Sequence, residues 1–181
     1  LKKAKEKEHV TPFDFYPYEC EDDSSFPVGI TPLMAPKRLR KELDTPNLFF
    51  KLDTLLVSGS FKDRASYLVA QQAIKHGEKK IALASTGNAG AAMSAVGAAL
   101  GLEIVLFVPA SAPINKLMQS VLYGARVIPV KGTYDDAFLL SIEYTRLHGG
   151  INRNTAYNPM TIEGKKSASI ELFEQMGRKA P

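Results

Sequence analysis

Two short segments carry residue types that could do chemistry. Lys62 follows Ser-Gly-Ser-Phe and stands in the first turn of a predicted helix, where the partial positive charge of the helix end disfavours an ammonium. The neutral amine is the form that attacks an aldehyde to make a Schiff base, so position and required reactivity agree. Ser85-Thr86-Gly87-Asn88 falls at a strand-to-helix turn, where free backbone amides and short polar side chains can bind a carboxylate or a phosphate. Each segment also has a plain reading. By position alone Lys62 is an ordinary exposed lysine. Ser, Thr and Asn also cap helices, and Gly permits the turn.

Other chemistries find less support. No Gly-x-Gly-x-x-Gly run suggests a dinucleotide, no Gly-x-x-x-x-Gly-Lys-Ser/Thr loop a nucleoside triphosphate, and no Gly-x-Ser-x-Gly elbow a serine hydrolase. His9, His76 and His148 are far apart in the chain, so no metal cluster is expected. The net charge of +4 is scattered, and its densest cluster (Lys37, Arg38, Arg40, Lys41) runs straight into Glu42 and Asp44. A nucleic-acid partner is therefore not expected. The most apolar stretch, Ile81 to Ala84 with Ala89 to Leu100, is interrupted by Ser-Thr-Gly-Asn and falls short of a membrane span. The single cysteine, Cys20, cannot form an internal disulfide, and the charged stretch Leu1 to Glu8 has no signal-peptide cleavage site. A cytoplasmic setting fits best.

The elements that must position the two segments follow from periodicity. Residues 1–46 hold most of the prolines and many aromatics, and read as an extended arm laid over the surface. From residue 47 onward, strand and helix patterns alternate. Asn47 to Leu52 is predicted as a strand, and Ser60 with Asp63 as the cap of a helix that stops at Gly77. Ile81 to Ala84 is a second strand, followed by a helix over Asn88 to Leu100. Glu103 to Val108 is a third, followed by a helix opened by Pro113. In that helix Ile114, Leu117, Met118, Val121 and Leu122 form one face expected to be buried. Arg126 to Val130 is the fourth strand. Thr133 and Asp136 then cap a helix whose stripe is Ala137, Leu140, Tyr144 and Leu147, and a last helix spans Pro159 to Met176. Such alternation implies an α/β fold: a parallel sheet with helices on both faces and ligands at the carboxyl ends of the strands. The pattern stops just after a helix, where a further strand would be due, so residues 47–181 read as part of a longer α/β region.

The string Ser58-Gly-Ser-Phe-Lys-Asp-Arg-Ala-Ser66, with Ala84-Ser-Thr-Gly-Asn-Ala-Gly90 about twenty residues later, resembles the threonine synthase branch of the fold type II (tryptophan synthase β-like) pyridoxal-phosphate enzymes. Phe107-Val-Pro-Ala, Gly124-Ala-Arg-Val, Gly132-Thr-Tyr-Asp-Asp and the run from Asn152 to Lys166 continue the resemblance in the family's order. It implies pyridoxal 5'-phosphate held by Lys62 as a Schiff base, with the same lysine shuttling protons at the substrate α-carbon. It implies further that Asn88 hydrogen-bonds the cofactor's ring hydroxyl, and that Ser85, Thr86 and Gly87 hold the carboxylate of a small amino-acid substrate. The glycine-rich loop for the cofactor phosphate and the residue facing the pyridine nitrogen would lie beyond residue 181, making this the N-terminal portion only. The implied activity is that of a carbon-oxygen lyase converting O-phosphohomoserine to threonine and phosphate, in a protein that is often a homodimer. A serine or threonine dehydratase, a β-replacement enzyme and a catalytically silent homologue are the alternatives. The chain departs from the branch at Leu56, Val57 and Ser58, where many members read Asn-Pro-Thr. It departs also at Ala89 and at Thr161, where threonine synthases often carry Thr and Arg.

Overall fold

The computed structural model describes residues 10–17, 20, 26–155 and 157–179. The charged stretch Leu1 to Glu8 lies outside them. Four parallel strands form the central sheet: β3 (Lys80–Ala84), β4 (Glu103–Pro109), β5 (Arg126–Val130) and β6 (Ile151–Asn152), in the order β5-β4-β3-β6. The helices are α1 (Lys37–Glu42), α2 (Lys62–Lys75), α3 (Asn88–Leu100), α4 (Ile114–Leu122), α5 (Tyr134–His148) and α6 (Met160–Gln175). A separate antiparallel ribbon pairs β1 (Leu33–Met34) with β2 (Phe50–Lys51).

Strand periodicity of two explains the layers. Ile81 and Leu83 of β3, with Ile104, Leu106 and Val108 of β4, point into a core shared with Tyr67, Val69 and Ala73 of α2 and Met93 and Val96 of α3. The alternate residues Ala82, Ala84, Val105 and Phe107 point the other way, onto Ala137 and Tyr144 of α5. Small side chains on β3 leave room for the Phe107 and Tyr144 rings, whose centroids lie 5.3 Å apart. Helices therefore cover both faces, as the alternation of elements implied.

Several local expectations need correction. The run Asn47 to Leu52 shrinks to Phe50–Lys51 and joins the ribbon, with Leu33 opposite Lys51, so it contributes nothing to the parallel sheet. An apolar run interrupted by Lys51 and closed by Asp53 is too short and too charged for a strand buried on both faces. The fourth parallel strand is β6, only two residues long. Asn154 completes it by accepting a hydrogen bond from the Ala84 amide at 2.8 Å and donating to Ser141 Oγ at 2.7 Å. Polar side chains replace ladder bonds there, which is why no apolar pattern marked it.

The arm is more than a surface layer. Phe26, Val28 and Thr31 are buried, and Phe26 stacks on Tyr67 with ring centroids 6.3 Å apart. α1 also lies within it. On α4 only Leu117 of the expected face is buried, while Ile114, Met118, Val121 and Leu122 stay exposed. Amphipathic spacing marks a face able to be buried but says nothing of what covers it. On α5 the Thr133–Asp136 capping box forms, yet the buried positions are Ala137 and Ser141, with Leu140 and Leu147 exposed. The inward side is narrow because Ala137 sits directly against the sheet.

A buried ionic clamp joins the layers. The Arg64 guanidinium donates to Asp53 at 2.8 Å from both Nε and Nη2, and to Glu171 at 2.6 Å and 2.9 Å. It also reaches Thr31 Oγ1 and Ser167 Oγ. Lys51 Nζ meets the same Glu171 at 2.6 Å. Burial works against every charge here. For Arg64 the two carboxylates more than offset it and hold the guanidinium above its ordinary range. For Asp53 and Glu171 the hydrogen bonds from Arg64, with Thr31 and Lys51 adding to them, likewise outweigh burial and hold both carboxyls below theirs.

Two outcomes follow from the clamp and from the contact between α2 and α6. A Cβ at Gly164 would lie 2.4 Å from the Arg64 carbonyl oxygen and 2.8 Å from Ala65 Cα. Gly164→Ala should destabilise by about 1–3 kcal/mol in denaturant unfolding, since backbone rather than a flexible side-chain end must move. The depressed Asp53 and Glu171 carboxyls stabilise the fold above the ordinary carboxylate range near about pH 4, and that contribution is lost as pH falls through their folded values. Asp63, raised by burial, works in the opposite direction and above that window, its penalty growing as pH rises from the ordinary carboxylate range through its folded value. Acid titration of stability should therefore show a steep loss below about pH 4. Glu171→Gln should flatten that loss while costing about 3–5 kcal/mol at neutral pH.

Candidate active site

α2 leads into β3 through a tight turn at Gly77, so the two run antiparallel and the start of α2 lies at the carboxyl end of β3. Fourteen residues of helix span about 21 Å and five of strand about 17 Å, so the two ends come level. α3 starts at that same edge, directly after the strand. Lys62 at the head of α2 and Asn88 at the head of α3 thus share one rim of the sheet.

The loop before Lys62 is built to present it. Gly59 takes φ +72°, a left-handed conformation that suits glycine, and donates to the Leu56 carbonyl at 2.8 Å. This turn brings Ser58 round to Asp63, whose carboxylate accepts from the Ser58 amide at 2.8 Å and from the Ser58 hydroxyl. Ser60 Oγ accepts from the Lys62 amide at 3.2 Å. The expected pairing of Ser60 with Asp63 is replaced by Ser58 with Asp63, because the glycine turn carries Ser58 closer. Lys62 Nζ has no hydrogen bond or ion pair among the described residues, and sits 5.8 Å from the centroid of the Phe61 ring.

The second segment divides. Ser85 is buried, and its Oγ accepts from the Gly87 and Gly90 amides at 3.2 Å and 3.0 Å, which fastens the first turn of α3. Thr86, Gly87 and Asn88 instead line a cavity of about 390 Å³ together with Asn115, Lys116 and Gln119 of α4. The Thr86 hydroxyl and the Asn88 amide have no hydrogen-bond partner among the described residues. Gln119 Nε2 donates to the Ser58 carbonyl at 3.1 Å, tying α4 to the lysine loop.

Asn115, Lys116 and Gln119 were not expected from sequence. Reading α4 for its apolar stripe hid them, although Asn115 and Gln119 are spaced i, i+4 on a separate face. Also unforeseen was the polar segment after β6, where the Arg153 amide donates to the Ala82 carbonyl at 2.9 Å and Asn154 holds the Ala84 amide. Tyr134 Oη donates to the Ala84 carbonyl at 3.1 Å, one residue before Ser85.

An uncommitted amine, an uncommitted carboxamide at a helix N-terminus and a cavity lined by amides and one lysine suit a ligand carrying an aldehyde and negative charge. Among the described residues no helix is long and apolar enough to cross a membrane, and no group of His, Cys, Asp or Glu could hold a metal ion.

The pyridoxal-phosphate-dependent enzyme family matches residues 24–181. Threonine synthase of Mycobacterium tuberculosis is 33% identical over 150 residues, covering 82% of this chain and 41% of that protein. Threonine synthase of Synechocystis is 36% identical over 155 residues, covering 83% and 40%. The chain thus spans about two fifths of the length of these relatives. Maize serine racemase superposes with a TM-score of 0.73 at 24% identity, over 81% of this chain and 45% of its own. Threonine deaminase isoform 2 of Solanum lycopersicum does so at 0.71 and 22%, over 80% and 40%. Both share the fold, that of the fold type II enzymes. The chain belongs to the pyridoxal-phosphate-dependent enzyme family, whose cofactor is pyridoxal 5'-phosphate.

Proposed function

We propose that this chain is the lysine-bearing part of an amino-acid lyase of the threonine synthase type, which converts O-phosphohomoserine to threonine and phosphate. The observation that carries the reading is the uncommitted Lys62 amine, placed on the same rim as the open Thr86-Gly87-Asn88 turn. The identity of 33–36% to threonine synthases supports the substrate.

The bound cofactor supplies an electron sink that lets an α-proton leave an amino acid. The chain's own residues do the rest. Lys62 anchors the cofactor and carries the proton to and from the substrate α-carbon. Asn88 donates from its side-chain amide to the ring hydroxyl and so orients the ring. The Thr86 hydroxyl and the amides opening α3 take the substrate carboxylate, with the helix dipole favouring negative charge there. Lys116 and Gln119 face the same cavity and add positive charge and an amide donor. Ser85 serves the site from behind, because its hydroxyl holds the turn in shape.

A second reading, a serine or threonine dehydratase, is favoured by one observation. Thr161, where threonine synthases often carry arginine, is fully buried, and its hydroxyl donates to the Thr155 and Asn158 carbonyls at 3.0 Å and 2.8 Å. It has no donor left for a substrate phosphate.

Borohydride reduction of the full protein loaded with pyridoxal 5'-phosphate, followed by peptide mass mapping, should find the pyridoxyl label on Lys62. A label elsewhere, or none, would overturn the reading. Lys62→Ala should lower turnover by about 10²–10⁴-fold or more with folding intact. Products separate the two readings: phosphate and threonine from phosphohomoserine support the first, while ammonia and a 2-oxo acid without threonine support the second.

A further inference from the structure

Two arginines are fully buried, and their surroundings differ. Arg64 is matched by two carboxylates at 2.6–2.9 Å. Arg153, 1% exposed, meets no carboxylate among the described residues. Its Nε and Nη2 reach only Ser66 Oγ, at 3.4 Å and 3.3 Å, and its Nη1 reaches Thr155 Oγ1 at 3.1 Å. Neutral hydroxyls at such distances satisfy donors weakly and leave the charge unmatched. A buried, uncompensated cation is costly, so a fold that keeps one points to an anion that arrives later.

The location suits a ligand. Arg153 leaves the carboxyl end of β6, its own amide bonded to β3, and its guanidinium rests against Ser66, one helical turn beyond Lys62. Lys165 of α6 lies in the same field: burial first, then the charges of Lys62 and Arg153, pull its ammonium below the ordinary lysine range. Burial pulls Arg153 itself down to about 10, against a small opposing effect of Tyr134, which is bonded to the carbonyl of Ala84 at the end of β3. Lys165 thus lies in the field of both Lys62 and Arg153, and no carboxylate is bonded to any of the three among the described residues.

We propose that Arg153 is a specificity residue that binds the distal dianion of a phosphorylated amino-acid substrate, taking over the role left open at Thr161. A planar guanidinium with five donors matches phosphate oxygens in pairs, whereas the hydroxyls it now meets are placeholders. Lys165 adds a point charge to the same group. The inference rests on the amino-acid site proposed above. It deepens that reading by naming the group that sets the substrate class.

The test uses the full protein loaded with pyridoxal 5'-phosphate, so that the cofactor's own phosphate is already seated. Inorganic phosphate is titrated against wild type and Arg153→Met, with thermal melting and calorimetry as readouts. L-norvaline, an amino acid without a distal anion, is the control and is followed by the cofactor absorbance. Wild type should bind phosphate and melt higher in its presence. Arg153→Met should lose at least tenfold in phosphate affinity and lose the melting shift, should melt no lower than wild type without phosphate, and should bind norvaline within twofold. KM for O-phosphohomoserine should rise at least tenfold with a smaller change in kcat. Unchanged phosphate binding in Arg153→Met overturns the proposal. So does a loss of cofactor affinity with phosphate and norvaline binding intact, which would assign Arg153 to the cofactor's phosphate instead. Where Arg153→Met does not fold, Arg153→Gln decides on the same terms, and failure of both to fold makes Arg153 structural and overturns the proposal. The Lys62 label is read separately, so failure of the amino-acid site is told apart from failure at Arg153.

Discussion

The position of Lys62 depends on the burial of Arg64, two residues further along the same helix. A fully buried guanidinium is tolerated only when its charge and donors are met, and here they are met from three directions. Thr31 comes from the segment before β1, Asp53 from the turn after β2, and Ser167 with Glu171 from α6. α6 also packs directly on the start of α2 at Gly164, whereas Thr31 and Asp53 come from segments outside the parallel sheet. The clamp gathers them, and the start of α2 is where the candidate nucleophile stands. Lys51 extends the network to the ribbon through Glu171, and Gln175 bonds both Lys51 and the Thr31 carbonyl. The rigid side of the site is therefore ionic, and the apolar core lies deeper, between the helices and the sheet.

The open side of the site is arranged differently. Ser85 uses its hydroxyl to fasten the first turn of α3, and Thr86, Gly87 and Asn88 face the cavity, the Thr86 hydroxyl and the Asn88 carboxamide having no hydrogen-bond partner among the described residues. Lys62 is likewise without a polar partner among the described residues. Unmet polar groups on a rim are inexpensive in water and become favourable when a ligand of complementary charge replaces that water. Division of labour between a satisfied support and an unsatisfied face recurs at Asp63, which holds Ser58 while Lys62 beside it stays free. The serines and the aspartate around the lysine thus shape the loop, and the lysine side chain takes no part in that bonding among the described residues.

The exposed apolar residues of α4 have a bearing on how the fold is read. Ile114, Met118, Val121 and Leu122 lie outside the core, whereas Asn115, Lys116 and Gln119 of the same helix face the candidate site. The helix thus serves the site through its polar side. An apolar stripe is the strongest helix signal in sequence, so the polar minority on the other face is easily passed over.

The sequence by itself determined the order of helices and strands from residue 80 to residue 148, the parallel sheet with helices on both faces, and the two segments from which a site could be built. It could do so because periods of 2 and 3.6 and the Thr133–Asp136 cap are local signals that tertiary context did not override. Tertiary structure decided what depends on distant partners. Phe50–Lys51 became part of a ribbon because Leu33–Met34 was there to pair with it, and β6 became a strand because Asn154 and Arg153 could bond to β3. The same holds for the site. Local pattern pointed to Lys62 and to the turn at Asn88, but the separation of Ser85 from its neighbours, the entry of Gln119 and the unmatched charge of Arg153 exist only once segments far apart in the chain are packed together. Hydrogen bonding and charge matching between such segments leave no periodic trace in the sequence.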